Sequence, residues 1–168
     1  DIQFEDMPFI LNETYGEWFD KLPHLILFYC KFNKSSYEDA LFQQYNIPHP
    51  DTLQNAVKKR KAEFLAGRYC ANKVLEAHAI HNFIVNTGEH RSPQWPDDIC
   101  GTISHSNDHA VAVACKKTYY TGIGIDIEEL ISPETLQNIH SQIVGGAELS
   151  LTSNSSLEKT FLFTLIFS

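Results

Sequence analysis

The sequence predicts an α+β fold, built either as one compact unit or as two small halves packed closely together. The chain of 168 residues has the length of an ordinary single domain. Hydrophobic residues make up 43% of it and charged residues 20%, which is enough apolar material to bury a core. Apolar runs typical of strands and spacings typical of helices follow one another without strict alternation. This order favours α+β over a doubly wound parallel sheet.

The first predicted elements are a strand and a long helix. Residues 25–29 form a short apolar run after Pro23, which predicts a buried strand. After Pro50, either Asp51 or Thr52 has the side chain to cap a helix. The apolar face of that helix is predicted from spacings of four and seven residues, and it carries Leu53, Val57, Phe64, Ala71 and Leu75.

The later elements are separated from these by a loop. Residues 86–98 contain one glycine and two prolines and predict a loop across the middle of the molecule. Strand character follows at residues 101–104, 110–115 and 122–128. Helix-start signals follow in two places, Ser132 with Pro133 and, before residues 161–167, Ser155 with Glu158.

Charge and hydropathy exclude several classes of protein. Thirteen basic against 21 acidic residues give a net charge of −8, which argues against a nucleic-acid-binding surface. No apolar run reaches the ~18 residues of a membrane span, and the first residues lack the basic start of a signal peptide. The four cysteines form no C-x-x-C pair, so reduced thiols are expected. We therefore expect a soluble protein with reduced, cytosolic thiols.

The sharpest chemical motif is residues 122–128 (GIGIDIE). Asp126 and Glu128 are two residues apart, so on a strand they project from the same face. A cation between the two carboxylates relieves their repulsion, and a site with oxygen ligands only suits Mg²⁺ or Mn²⁺. A solvated acidic strand face is the alternative, and the spacing does not decide between the two.

A second motif, residues 101–106 (GTISHS), predicts a strand that runs into a polar turn. The Ser104 hydroxyl and the His105 imidazole, together with turn amides, make a phosphate cradle. A catalytic Ser-His pair is disfavoured, because adjacent strand residues point to opposite faces. A turn whose hydroxyls bond to its own backbone is the alternative.

Basic residues form the third feature. Arg60 and Arg68 each lie four residues from Phe64 and so lie on or beside its helix face, where guanidinium groups match phosphate oxygens. His90 and Arg91 lie in the predicted loop. Lys58 and Lys59 are interpreted as a solvated helix face.

The order of four blocks carries a family resemblance. The blocks are residues 60–68 (RKAEFLAGR), 88–96 (GEHRSPQWP), 101–106 and 122–128. In this order the sequence resembles the 4′-phosphopantetheinyl transferases, specifically the single-chain, pseudo-dimeric kind of siderophore and nonribosomal peptide synthesis. The resemblance extends from Arg60 to Glu128 and is looser on both sides.

The resemblance implies a reaction and a set of roles. The phosphopantetheinyl arm of coenzyme A would pass to a serine of an acyl, aryl or peptidyl carrier protein. Asp126 and Glu128 would be the catalytic pair that holds Mg²⁺ on the diphosphate. The coenzyme A contacts would come from Arg60, Arg68, His90 and Arg91, with Ser104 and His105 beside the 3′-phosphate. The nucleophile belongs to the carrier protein, which accounts for the lack of a Ser-His-Asp set.

The implied fold consists of two similar α/β halves about a pseudo-twofold axis, with coenzyme A in the cleft between them. We expect the halves at residues 1–99 and 100–168, in a monomer. The family continues after a Phe-Ser pair into a helix that supplies a further metal ligand and a lysine, so the second half is expected to be incomplete. A chain ending at Ser168 is expected to bind coenzyme A and to transfer poorly.

Two alternatives from other classes remain. A non-catalytic module that binds coenzyme A or a carrier protein would keep the phosphate cradle without the last helix. A Mg²⁺-dependent nucleotide hydrolase would need a water-positioning base, which the sequence does not offer.

Overall fold

The structure is a computed structural model, and it describes residues 6–16, 24–130, 142–144, 148–154 and 160–167. Side chains are described for residues 6–16 and 24–127. The helix-start signals at Ser132 with Pro133 and at Ser155 with Glu158 lie outside the described residues.

The first sheet has four antiparallel strands in the order β1-β2-β4-β3. Residues 99–116 form a hairpin, in which Ser106 pairs with His109 across a two-residue turn. The hairpin joins the sheet through β4, which pairs with β2. The four strands are β1 (Ile10–Tyr15), β2 (Ile26–Phe32), β3 (Ile99–Ser106) and β4 (His109–Lys116).

One face of this sheet is covered by a long helix. Helix α1 (Ala40–Gln44) is short, and helix α2 (Lys58–Ala77) buries an apolar face rich in small residues, with Ala62, Ala66 and Ala71 fully buried. The alanines of β4 lie in the same core as this helix face. A Cβ atom on Gly67 would lie 2.9 Å from Ile103, so the helix and β3 are in close contact there. Small side chains on both layers permit this approach.

The other face of the first sheet is covered by the start of a second sheet. Its order is β5-β8-β7-β6, and all its pairs are antiparallel. Ile123, Ile125 and Ile127 of β5 pack into a second core with Val111, Val113 and Cys115 of β4. The strands are β5 (Ile123–Leu130), β6 (Gln142–Val144), β7 (Glu148–Asn154) and β8 (Thr160–Phe167).

The predicted strands are confirmed, and the α+β class fits the mixture of helices and antiparallel sheets. β2, β3, β4 and β5 all lie where apolar runs predicted strands. The loop prediction holds as well, since residues 86–98 contain only one 3-10 turn, Glu89–Arg91, and an isolated bridge. None of the described helices is long and apolar enough to span a membrane.

The predicted start of the long helix is wrong. Asp51–Leu53 is a separate 3-10 turn, and α2 begins at Lys58 after the N-cap Val57. Val57 was expected in the core and is 70% exposed. Leu53 is buried. Because its spacing from the later apolar positions fits a helix period, the sequence pattern assigns it to the face of the same helix.

The helix expected over residues 161–167 is also wrong, because these residues form most of β8. The segment TFLFTLIF is dense in aromatic and β-branched residues, which favour a pleated strand. It pairs on both sides, with β5 and with β7, and this tertiary pairing outweighs a local capping pattern.

The close packing of Trp95 on Gly101 gives a testable prediction. A Cβ atom there would lie 2.5 Å from the indole ring of Trp95. Gly101→Ala should therefore lower the free energy of unfolding by about 1–3 kcal/mol, because the ring has to shift. Gly88→Ala is the matched control, since its Cβ would meet the flexible side chain of Gln94 at 2.9 Å. Urea denaturation measures both, and equal effects would contradict the packing argument.

Candidate functional site

A cavity of about 440 Å³ lies between α2, residues 46–52 and residues 83–94. Phe64, Arg68 and Asn72 of α2 line one wall, and Thr87 and Gln94 line another. A neighbouring cavity of about 560 Å³ shares six of its lining residues. The helix therefore presents Arg68, one of the basic residues singled out in the sequence, to a space that admits a ligand.

Arg68 is the most buried of the candidate residues that the structure describes in full. Its side chain is 7% exposed, and its guanidinium carbon lies 4.4 Å from the centre of the Phe64 ring. Nε donates to the Val85 carbonyl at 2.8 Å, and Nη2 donates to the Thr87 hydroxyl at 3.1 Å. Within the described residues no carboxylate forms an ion pair with it. Burial lowers the pKa of Arg68 to about 10, which marks a cation that lacks a nearby counter-charge.

The two hydrogen bonds of Arg68 also hold the loop that carries His90 and Arg91. Thr87 bridges to Pro93, and the Gly88 amide donates to the Ser92 carbonyl at 2.7 Å. His90 and Arg91 lie exposed at the tip of this loop with φ angles of 54° and 62°. The left-handed backbone at two successive residues is costly and indicates a loop shaped by its surroundings.

Arg60 is exposed near the start of α2, so it does not share the burial of Arg68. The expectation that both arginines lie on or beside the Phe64 face holds for Arg68, which contacts that ring. The two side chains therefore sit in different environments on one helix.

Ser104 and His105 end β3 and lie on opposite faces of the sheet. His105 lies on the α2 side, where its Nδ1 is 3.9 Å from Glu63 Oε2. Ser104 pairs with Val111, which belongs to the core on the β5 side. The prediction that these neighbours do not form a catalytic pair is confirmed by this alternation.

Glu63 is a residue that the sequence analysis missed. Its side chain is 15% exposed and lies near two lysines and a histidine. Lys34 approaches it at 3.8 Å and Lys59 at 3.9 Å, in addition to His105. Only the i to i+4 spacing of Lys59 and Glu63 is visible in the sequence. A single carboxylate thus gathers an anion-attracting cluster at the end of β3.

Asp126 lies on β5, and its side chain is exposed. Its Oδ1 accepts a hydrogen bond from the Ile127 amide at 3.0 Å. The strand backbone puts position 128 on the same face as position 126. The Glu128 side chain lies outside the described side chains, and within those that are described no group of three metal-ligating residues occurs.

The described contacts join some candidates and leave others apart. Arg68 is linked to the loop of His90 and Arg91 through Thr87. His105 is linked through Glu63 to the helix that carries Arg60. In the described part of the chain, no ion pair connects Asp126 to these basic residues.

Comparison with known proteins shows similarity to one family over part of the chain. Residues 49–115 match the family model described as the 4′-phosphopantetheinyl transferase N-terminal domain. The chain is 37% identical over 122 residues to enterobactin synthase component D of Escherichia coli K12, a match that covers 73% of this chain and 57% of the relative. It is 36% identical over 122 residues to the same component from Salmonella typhi, covering 73% and 50%.

A more distant relative carries the family name directly. The 4′-phosphopantetheinyl transferase Npt of Nocardia iowensis is 29% identical over 76 residues, covering 45% of this chain and 34% of the relative. This chain spans about half the length of the enterobactin synthase components it matches. The family-model match contains six candidate residues, from Arg60 to His105, and ends before Asp126 and Glu128.

The site geometry predicts a stability difference between the two arginines. Arg68→Met should lower the free energy of unfolding by about 2 kcal/mol, because it leaves the Val85 carbonyl and the Thr87 hydroxyl without this donor. Arg60→Met, on the exposed side of the same helix, should change it by less than about 0.5 kcal/mol. Thermal and urea denaturation test this pair, and similar losses in both variants would refute the assignment of Arg68 to the loop.

Proposed function

We propose, since this chain is a relative of the 4′-phosphopantetheinyl transferases, that it transfers the phosphopantetheinyl arm of coenzyme A to a serine of a carrier protein. The serine oxygen forms a bond to the β-phosphorus, and the bond from that phosphorus to the bridging oxygen breaks. Adenosine 3′,5′-bisphosphate leaves with the bridging oxygen, and the serine proton passes to solvent. The observation that carries the proposal is the buried Arg68 guanidinium beside an open cavity, inside the matched region.

Coenzyme A supplies the counter-charge that Arg68 lacks. A guanidinium has five N–H donors, and the two described bonds use two of them. The remaining donors suit phosphate oxygens, for which guanidinium geometry is well matched. We assign the nucleotide phosphates to Arg60, Arg68, His90 and Arg91. The loop tip and the start of α2 are exposed, so His90, Arg91 and Arg60 are accessible to a ligand.

The 3′-phosphate of the nucleotide is assigned to Ser104 and His105. Lys34 and Lys59, gathered with His105 by Glu63, raise the positive potential at this end of β3. Such a local cluster attracts a phosphate monoester to a protein whose net charge is −8.

Asp126 and Glu128 are assigned to Mg²⁺. The exposed Asp126 carboxylate and the strand position of Glu128 offer oxygen donors, which fit this hard cation. When bound, Mg²⁺ neutralises the charge that develops on the diphosphate. Asp126 keeps one oxygen on the Ile127 amide, which fixes the orientation of its carboxylate.

The proposed architecture is two α/β halves about a pseudo-twofold axis, at residues 1–99 and 100–168. The boundary between these halves falls at the start of β3. In the chain, the last strand of the first sheet is β4 and the first strand of the second sheet is β5. We further propose that the protein is a cytoplasmic monomer that acts on an acyl, aryl or peptidyl carrier protein. The similarity to enterobactin synthase components supports a role in siderophore or nonribosomal peptide synthesis.

The proposal is tested by incubating an apo carrier protein with the purified chain, coenzyme A and Mg²⁺. Mass spectrometry should show the gain of the phosphopantetheinyl arm, and calorimetry should show coenzyme A binding. Asp126→Asn should reduce transfer at least about a hundredfold, because one metal ligand loses its charge. Asp97→Asn, in an exposed loop, is the matched carboxylate control.

The outcomes separate the two leading functions. Coenzyme A binding without transfer by the wild-type chain would identify a binding module instead of an enzyme. No binding of coenzyme A would overturn the proposed function altogether.

A further inference from the structure

A network of three polar side chains, two of them buried, lies beside the turn between β3 and β4. The Tyr29 hydroxyl is hydrogen-bonded to Nδ1 of His109, and Nε2 of His109 lies 3.0 Å from Oδ1 of Asp108. Tyr29 is 8% exposed and His109 2%. Lys31 lies 3.9 Å from the second oxygen of Asp108. This polar network therefore joins β2, the turn and β4.

Asp108 is ionised at neutral pH and faces the His109 ring. Its contact with His109 and the charge of Lys31 lower the pKa of Asp108 to about 2 against the cost of its burial. The carboxylate lies 3.0 Å from Nε2, and this proximity favours the tautomer of the ring that carries its proton on Nε2. In that tautomer Nδ1 accepts the proton of the Tyr29 hydroxyl.

The strand register shows which residues of β3 lie beside this polar network. Tyr29, Val111 and Ser104 lie side by side across β2, β4 and β3. The next row on the same face contains Lys31, His109 and Ser106. The contact between Tyr29 and His109 runs diagonally from the Ser104 row to the Ser106 row.

The turn is fixed at further points. The Phe32 amide donates to the Asp108 carbonyl at 2.8 Å, which ties the turn to the end of β2. Asn107 takes a left-handed φ of 54°, as tight turns require. β3 is the last strand in the order of this sheet, and its end pairs with β4, where Ser106 lies opposite His109. The end of β3, with Ser104 and His105, is thereby linked through β4 to the polar network.

We propose that Tyr29, Asp108 and His109 are positioning residues, which fix the end of β3 so that Ser104 and His105 meet the 3′-phosphate of coenzyme A in one geometry. This inference rests on the proposed function. A direct catalytic role does not fit, because Tyr29 and His109 are buried, Nδ1 of His109 is bonded to Tyr29 and its Nε2 faces Asp108. Burying the polar groups of Tyr29 and His109 is costly unless they are paired, and pre-organising a ligand site offsets that cost.

The test compares coenzyme A with 3′-dephospho-coenzyme A by calorimetry, on the wild-type chain and on Tyr29→Phe and Asp108→Asn. Both variants should weaken coenzyme A binding about tenfold and leave the dephosphorylated ligand within about twofold, because only the 3′-phosphate contacts lose their geometry. Phenylalanine preserves the ring, and Asp108 is partly exposed at the turn, so both changes keep the core volume.

Tyr37→Phe is the matched control. Tyr37 is 5% exposed and donates to Asp39 Oδ1 at 2.8 Å in another part of the molecule. It should lower stability and leave the preference for coenzyme A unchanged. A conservative change, His109→Gln, keeps a donor toward Asp108, and it should retain more of the preference than His109→Leu.

The outcomes distinguish this inference from the proposed function. A wild-type chain that binds no coenzyme A overturns the proposed function and the inference together. A wild-type preference for coenzyme A that survives Tyr29→Phe and Asp108→Asn overturns the inference and leaves the proposed function standing. Equal weakening of both ligands, or loss of thermal stability without loss of preference, shows a merely structural network and also overturns it.

Discussion

The close contact between α2 and the first sheet is the constraint on which the candidate site depends. A Cβ atom at Gly67 would lie 2.9 Å from Ile103, and buried alanines line both layers. Because the helix lies this near β3, the carboxylate of Glu63 comes within 3.9 Å of the His105 ring. Further along the helix, Arg68 reaches residues 85–87. Larger residues at the contact would lift the helix and separate these groups.

Arg68 shows how this contact places a charge in a costly position. Its burial lowers the affinity of the side chain for its own proton, as the pKa of about 10 indicates. The Phe64 ring and two oxygen acceptors recover part of the lost hydration. An anion in the adjacent cavity, as proposed, would recover more. The same residue is bonded to the loop of His90 and Arg91, so the proposed phosphate binding would be coupled to the shape of that loop.

Sequence patterns predicted the elements better than the contacts between them. β2 to β5 follow from short apolar runs, and the opposite faces of Ser104 and His105 follow from strand alternation. The start of α2 and the strand β8 were missed, because local capping signals were outweighed by pairing and packing. The approach of Glu63 to His105 depends on how α2 crosses the sheet, and the bond between Tyr29 and His109 depends on register. Neither leaves a local pattern in the sequence.

The end of β3 is suited to a ligand that contacts several elements. β3 is the last strand in the order of the first sheet. Ser104 lies on the face that packs against the isoleucines of β5, and His105 lies on the face covered by α2. Two adjacent residues of β3 therefore face different layers, the helix layer with its basic groups and the layer of β5. Their separation argues against a catalytic pair. For the proposed ligand, coenzyme A, it means that both residues are contacted only if the nucleotide bends around the end of the strand.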